Sequence, residues 1–318
     1  FKKIKAVLRA EPEKTVVSLL LKNGADPTLE DHLGNTAFYY LMRLKDPQAV
    51  QAFKKMDIVL DKVNNQGETP LFYAIRAGET WLIESLIESG VDVNHQNIKG
   101  QTPSHIAVER KRYDLLQMLI EKGADVNTQN AYHQSLLHDA MIKNDDALFS
   151  TLMKEGARVD TADKSGETPL LLACKNKSIK YFNKIIKAHP PLNQPNKKGE
   201  TPISEAIKNN NVRKAEILVE QGADINLKNE AGLPPLNQSL QLNHIRIAYL
   251  FLNSGANVNE PDHLGNTALI CAASCTNNKI FHELIRHGAQ VNTSNHKGQT
   301  PGHVCCEKGE TVKTKILL

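Results

Sequence analysis

Glycine returns along this chain at a fixed interval, and that recurrence limits the possible folds more than any other feature. One series runs Gly34, Gly67, Gly100, Gly166, Gly199, Gly232, Gly265 and Gly298. Its steps are 33 residues, with one step of 66 where the phase falls on His133. A second series, Gly24, Gly90, Gly123, Gly156, Gly222, Gly255 and Gly288, keeps the same period, with Asp57 and His189 in its two gaps. Two independent series holding one period point to a solenoid, which grows by stacking short units rather than by enlarging one core.

Each glycine of the first series opens a similar phrase, as in Gly67-Glu68-Thr69-Pro70-Leu71, Gly166-Glu167-Thr168-Pro169-Leu170 and Gly199-Glu200-Thr201-Pro202-Ile203. Glycine permits the positive φ of a tight turn. Threonine caps a helix by accepting from a free backbone N–H, and proline suits the first helical position because its missing N–H would have no partner there. The phrase predicts a short helix, for example Leu71 to Ala77. A second helix runs to the second glycine. In Tyr113–Lys122 the residues Leu115, Leu116, Leu119 and Ile120 form one apolar stripe, and Gly123 supplies the left-handed cap. Ala124-Asp125-Val126-Asn127 then leads into the next turn.

These motifs resemble the ankyrin repeat family along the whole chain. The resemblance implies an all-α repeat solenoid, each 33-residue unit a turn plus two antiparallel helices. The chain reads as one domain, 1–318, with full repeats at 31–63, 64–96, 97–129, 130–162, 163–195, 196–228, 229–261 and 262–294, and partial ones at 1–30 and 295–318. The missing initiator Met and an end inside a second helix suggest a longer parent. Some units depart from the pattern. Unit 31–63 carries bulky Tyr39-Tyr40-Leu41 after Thr36-Ala37-Phe38, starts its second helix at Asp46-Pro47, and has Asp57 for glycine. Unit 130–162 has His133 and Ser135-Leu136-Leu137, unit 163–195 ends in Ala188-His189-Pro190-Pro191, and unit 229–261 has Pro234-Pro235 for Thr-Pro.

Apolar residues, at 40%, suffice for a continuous core, and aromatics at 5% leave it resting on Leu, Ile, Val and Ala. The net charge of +4 is too small to argue for nucleic acid, and interleaved aromatics are few beyond Tyr132. No apolar run is long enough to span a membrane or to serve as a signal peptide. The odd count of five cysteines argues against a disulfide framework and for a reducing cytosol or nucleus.

No catalytic triad, phosphate-binding loop or zinc-protease signature is legible, so the chain reads as non-enzymatic and without cofactor or metal. His105, His138 and His303 fall at the histidine of the family's Thr-Pro-Leu-His phrase, where the resemblance implies a structural hydrogen-bonding ring. Cys271 and Cys275, with His303, Cys305 and Cys306 one repeat on, invite a zinc reading, since zinc takes about four converging ligands. Against it, Cys174, Cys305 and Cys306 occupy positions where the family packs alanine, and cysteine serves there as a small hydrophobe. The packing reading is the stronger.

The resemblance also implies that partners meet the turn tips and the exposed end of the first helix, on the concave face. Nine and ten residues after each glycine the chain reads Arg76-Ala77, Glu109-Arg110, Ile142-Lys143, Lys175-Asn176 and Lys208-Asn209. Each pair offers one cation, which predicts a basic ladder flanked at the tips by Lys99, Lys164, Lys197, Lys198 and aromatic Tyr132, and diluted by Glu68, Glu167 and Glu200. Gln241-Leu242 and Ser274-Cys275 end it. Trp81, the only Trp, is either an exposed anchor or packed on a neighbour. The expectation is a monomeric scaffold that binds an acidic segment of a partner protein; the alternative is the targeting arm of a larger enzyme. Lys outnumbers Arg 30 to 9, which suits an AT-rich genome and the ankyrin effectors that intracellular bacteria deliver into host cytosol.

Overall fold

The structure, a computed structural model, describes residues 23–43, 47–54, 60–176, 178–275 and 277–317. Asp46, Asp57 and most of the partial repeat 1–30 lie outside them. Each repeat folds as a turn and a helix pair. The first four pairs are α1 (Ala37–Met42) with α2 (Pro47–Lys54), α3 (Pro70–Ala77) with α4 (Thr80–Glu88), α5 (Pro103–Glu109) with α6 (Tyr113–Glu121), and α7 (Leu136–Ile142) with α8 (Asp146–Lys154). The next three are α9 (Pro169–Lys175) with α10 (Ile179–Ile186), α11 (Pro202–Lys208) with α12 (Val212–Glu220), and α13 (Pro235–Gln241) with α14 (Ile245–Asn253). The last two are α15 (Ala268–Ala273) with α16 (Asn278–Arg286), and α17 (Pro301–Glu307) with α18 (Thr311–Leu317). Among the described residues the only β pairing is an isolated bridge between Glu30 and Thr36.

The helices cluster into two compact units, Phe1–Ala140 with Asp145–Ala157, and Met141–Asn144 with Arg158–Leu318. In the first, α3 packs on α4, α1 and α5. In the second, the first helices pack in the order α9, α11, α13, α15, α17, and the second helices α12, α14, α16, α18 likewise. Both cores are aliphatic: Leu71, Leu82, Leu115, Leu116 and Leu119 in the first and Leu170, Leu218, Ile247 and Leu284 in the second are sealed from solvent. Ile120, expected in the apolar stripe of α6, is half-exposed.

Helix starts follow the Thr-Pro phrase. The Thr168 side chain accepts from Leu171 N, and Thr201 accepts from Ser204 N. Pro234 keeps the same register as an extended N-cap, with φ −63° and ψ 148°. His105, His138 and His303 each brace the start of their own first helix. The Nδ1 atom lies 2.8 Å from the capping hydroxyl of Thr102, Ser135 or Thr300 and accepts from the backbone N–H of the same residue.

The two glycine series have different physical reasons. At Gly100 (φ +66°) a Cβ would meet Ala131 N at 2.6 Å, and at Gly199 (φ +64°) it would meet Glu230 N at 2.6 Å. Here the backbone of the following turn leaves no room for a side chain. At Gly123 (φ +91°) a Cβ meets nothing within 4 Å, so only the left-handed backbone selects glycine. His133 (φ 58°) and His189 (φ 51°) take the left-handed conformation in place of their series' glycines.

Candidate functional site

The face built from turn tips and first helices is held by a repeated side-chain device. At most tips an Asn or Asp three residues before the glycine position accepts two backbone N–H groups. Asn64 Oδ1 accepts from Gln66 and Glu68, Asp163 Oδ1 from Ser165 and Glu167, and Asn196 Oδ1 from Lys198 and Glu200. This turn fixes the residue after the glycine beside the end of its own first helix, eight residues later. In five repeats the two side chains join. Glu68 takes Arg76 in a two-pronged bond at 2.5 Å on each arm. Gln101 donates to Glu109, Glu167 binds Lys175 at 2.5 Å, Glu200 binds Lys208 at 3.3 Å, and Gln299 donates to Glu307 at 3.0 Å.

In the second unit the pairs link into a chain. Lys175 also reaches Glu200 at 2.8 Å, and Lys208 also reaches the buried Glu205 at 3.3 Å. The bond from Lys175 holds the Glu200 carboxyl at about 2, against an ordinary 4.5. Burial works against the charge on Lys175, but its bonds to Glu167 and Glu200 outweigh that and raise its pKa. The charge of Glu205 and the bond to Glu200 raise Lys208, and the bond to Glu68 raises Arg76.

The basic ladder is therefore only partly a row of available cations, because Arg76, Lys175 and Lys208 are each tied to acids of the same face. Arg110 is exposed at the end of α5, and Lys164, Lys197 and Lys198 are exposed at the tips, with no ion pair among the described residues. Lys143 is exposed just past α7, and Tyr132 is 66% exposed at its tip. Trp81 is half-buried and donates through Nε1 to Glu79 at 3.2 Å.

Cys174, Cys271, Cys275 and Cys305 are buried, and burial pushes the Cys174 and Cys271 thiols up to about 12. Cys306 departs from expectation and faces solvent. It occupies the position of Cys174 but is left uncovered. Among the described residues no three His, Cys, Asp or Glu side chains converge as metal ligands, and no helix is long and apolar enough to cross a membrane.

Two functional-looking groups escaped the sequence reading. Lys214 and Lys313 are fully buried in second helices. Lys214 Nζ donates to the carbonyls of Ala173 (2.8 Å), Cys174 (3.4 Å) and Asn176, and lies 5.7 Å from the centre of the Phe182 ring. Lys313 Nζ donates to Ala273 O at 3.2 Å and to Cys275 O. Both close the end of the preceding repeat's first helix, and this role is structural. Comparing the repeats column by column would have exposed them, because their position holds Leu115, Leu148, Ile247 and Ile280 elsewhere.

Paired helices stacked repeat on repeat, with turn tips lining one side, define a class of helical repeat solenoids. Family comparison agrees. The model described as "Ankyrin repeats (3 copies)" matches residues 4–97, 137–229 and 232–318, and "Ankyrin repeats (many copies)" matches 86–140. The chain belongs to the ankyrin repeat family, whose members are protein–protein interaction modules. No curated protein matches it significantly.

Proposed function

We propose that this chain is a monomeric scaffold that lays a partner protein's acidic segment along the concave face of its middle repeats. The observation that carries this reading is the cations left over once the internal pairs are formed: in the second unit Lys164, Lys197 and Lys198 are exposed and unpaired among the described residues, while Glu167 and Glu200 are already bound by Lys175, and in the first unit Arg110 is likewise exposed and unpaired. Lys143 and Tyr132 border this set, and Arg76, Lys175 and Lys208 contribute as members of fixed ion pairs. The unpaired cysteines and the 30 to 9 excess of Lys over Arg support a cytosolic setting, that of a bacterial effector inside a host cell.

The test is charge reversal. Arg110, Lys164, Lys197 and Lys198 are changed together to Glu, with the second-helix pair Lys122→Glu and Lys154→Glu as control. Affinity for a partner captured from cytosol should fall at least several-fold in the first variant only, with the loss shrinking as salt rises. Equal binding by both variants would place the site elsewhere.

A further inference from the structure

The bulky residues of repeat 31–63 form a surface that the basic face does not explain. Tyr39 on α1 meets both its neighbour Tyr40 and Tyr73 on α3. The Tyr39 and Tyr40 rings are 5.9 Å apart at 81°, and those of Tyr39 and Tyr73 are 5.1 Å apart at 62°, both edge-on. Three of the chain's seven tyrosines thus share one patch, and Tyr40 is 44% exposed. Tyr40 donates to Asp31 Oδ2 at 2.5 Å, which fixes its ring against the tip. Later repeats carry Ile106, Asp139, Leu172, Glu205, Gln238, Cys271 and Val304 at the position of Tyr40 and Tyr73, so the aromatic patch is confined to the first two full repeats.

We propose that this tyrosine patch docks a proline-rich partner segment in the polyproline II conformation, with an acidic residue of that segment on Arg43. The proposal rests on the reading of this face as a partner-binding surface and adds a place and a chemistry to it. Three observations favour this occupant. First, Tyr40 and Tyr73 hold equivalent places one repeat apart, and their shared neighbour Tyr39 keeps them within about 11 Å. A polyproline II helix returns the same side to a surface every three residues, about 9 Å, so two of its prolines match the two rings. Second, its backbone carbonyls make no internal hydrogen bonds, and among the described residues the Tyr39 and Tyr73 hydroxyls have no hydrogen-bond partner. The tyrosine patch gives apolar faces to the prolines and donors to the carbonyls, and the stiff segment loses little entropy on docking. Third, Arg43 lies one helical turn beyond Tyr40, exposed and without an ion pair among the described residues, while Arg76 beside Tyr73 is already held by Glu68. Arg43 is therefore the cation open to an acidic flank, while the Asp31 carboxylate beside Tyr40 is engaged by the Tyr40 hydroxyl.

The full chain is probed with an array of short peptides, each with a Pro-x-x-Pro core and one Asp or Glu flank. A matched array has Ala for Pro, and a third has Lys flanks. Fluorescence anisotropy on the best binders then gives affinities. The expected result is saturable binding that prefers proline over alanine, weakened at least about fivefold by Tyr40→Ala and by Tyr73→Ala but not by Tyr40→Phe. Arg43→Glu should shift preference to the Lys-flanked array, and that exposed change keeps the test open if Tyr73→Ala fails to fold by circular dichroism. The proposal is overturned if no proline peptide binds, if alanine peptides bind equally, or if Tyr40→Ala binds as wild type. Acidic peptides that bind regardless of proline, and are lost with Lys197→Glu and Lys198→Glu, would overturn it while leaving the broader reading of the face intact.

Discussion

Lys214 and Lys313 stand 99 residues apart, three repeat periods, and perform the same task. Each places a fully buried ammonium on the carbonyls that end the preceding repeat's first helix. Six other repeats leave that helix through a left-handed residue, namely Gly78, Lys111, Asn144, Asn210, Asn243 or Gly309. The matching positions ahead of the two lysines, Lys177 and Thr276, lie outside the described residues. In these two repeats the buried ammonium supplies donors to that helix end.

Lys214→Leu should therefore destabilise the chain by about 1–3 kcal/mol, because carbonyls bonded to a charged donor are left unpaired. Adding Lys177→Gly should restore much of the loss, since it recreates the sequence of an ordinary repeat. Urea denaturation of the single and double variants checks this; a double variant no more stable than the single would break the link.

Gly100→Ala should cost about 2–4 kcal/mol, combining left-handed strain with a Cβ pressed on Ala131 N. Gly123→Ala should cost only about 1–2 kcal/mol, the strain alone. Equal losses on denaturation would show that the close approach at Gly100 relaxes freely.

Glu200 should make stability fall with acid. Its folded carboxyl titrates near 2, below the ordinary 4.5, so its contribution is present above pH 4.5 and is lost as pH falls toward 2. At pH 7, Glu200→Gln should cost of order 1–3 kcal/mol, trimmed by the partial exposure of Lys175 and Lys208. The difference from wild type should shrink steadily below pH 4.5. A gap unchanged at pH 2 would refute the charge assignment.

Of the five cysteines, Cys306 should be the fast-reacting one in the folded chain, because the other four are buried. A colorimetric disulfide reagent should modify one thiol rapidly and the rest only on unfolding, and Cys306→Ser should remove the fast phase. Two fast thiols in the native chain would contradict the packing of the last repeats.

Much of the fold was legible because its signals are local. The predicted helix from Leu71 to Ala77 is Pro70–Ala77, and Pro103, Pro169, Pro202, Pro235 and Pro301 each open a helix as their phrase implies. The candidate face was legible in position but not in charge. Summing lysines and arginines treats each as independent, whereas the tip turn sets Glu68 on Arg76 and Glu167 on Lys175 across eight residues. That neighbourhood belongs to the turn-and-helix geometry and has no signature in charge spacing along a helix. Cys306 was misplaced for a related reason, since burial at its position depends on what lies over it.

The capping lysines also bear on how such a gene can be cut and copied. Units 64–96 and 97–129 each carry their own turn residue and tip pair, so duplication or loss of one such 33-residue segment moves a self-sufficient cassette. Units 163–195 and 196–228 are different: Lys214 of the second serves the helix end of the first, and Lys175 of the first is shared with Glu200 of the second. Unequal crossover between them would strand a buried ammonium on one side and bare carbonyls on the other, so residues 163–228 are heritable only as a two-unit block.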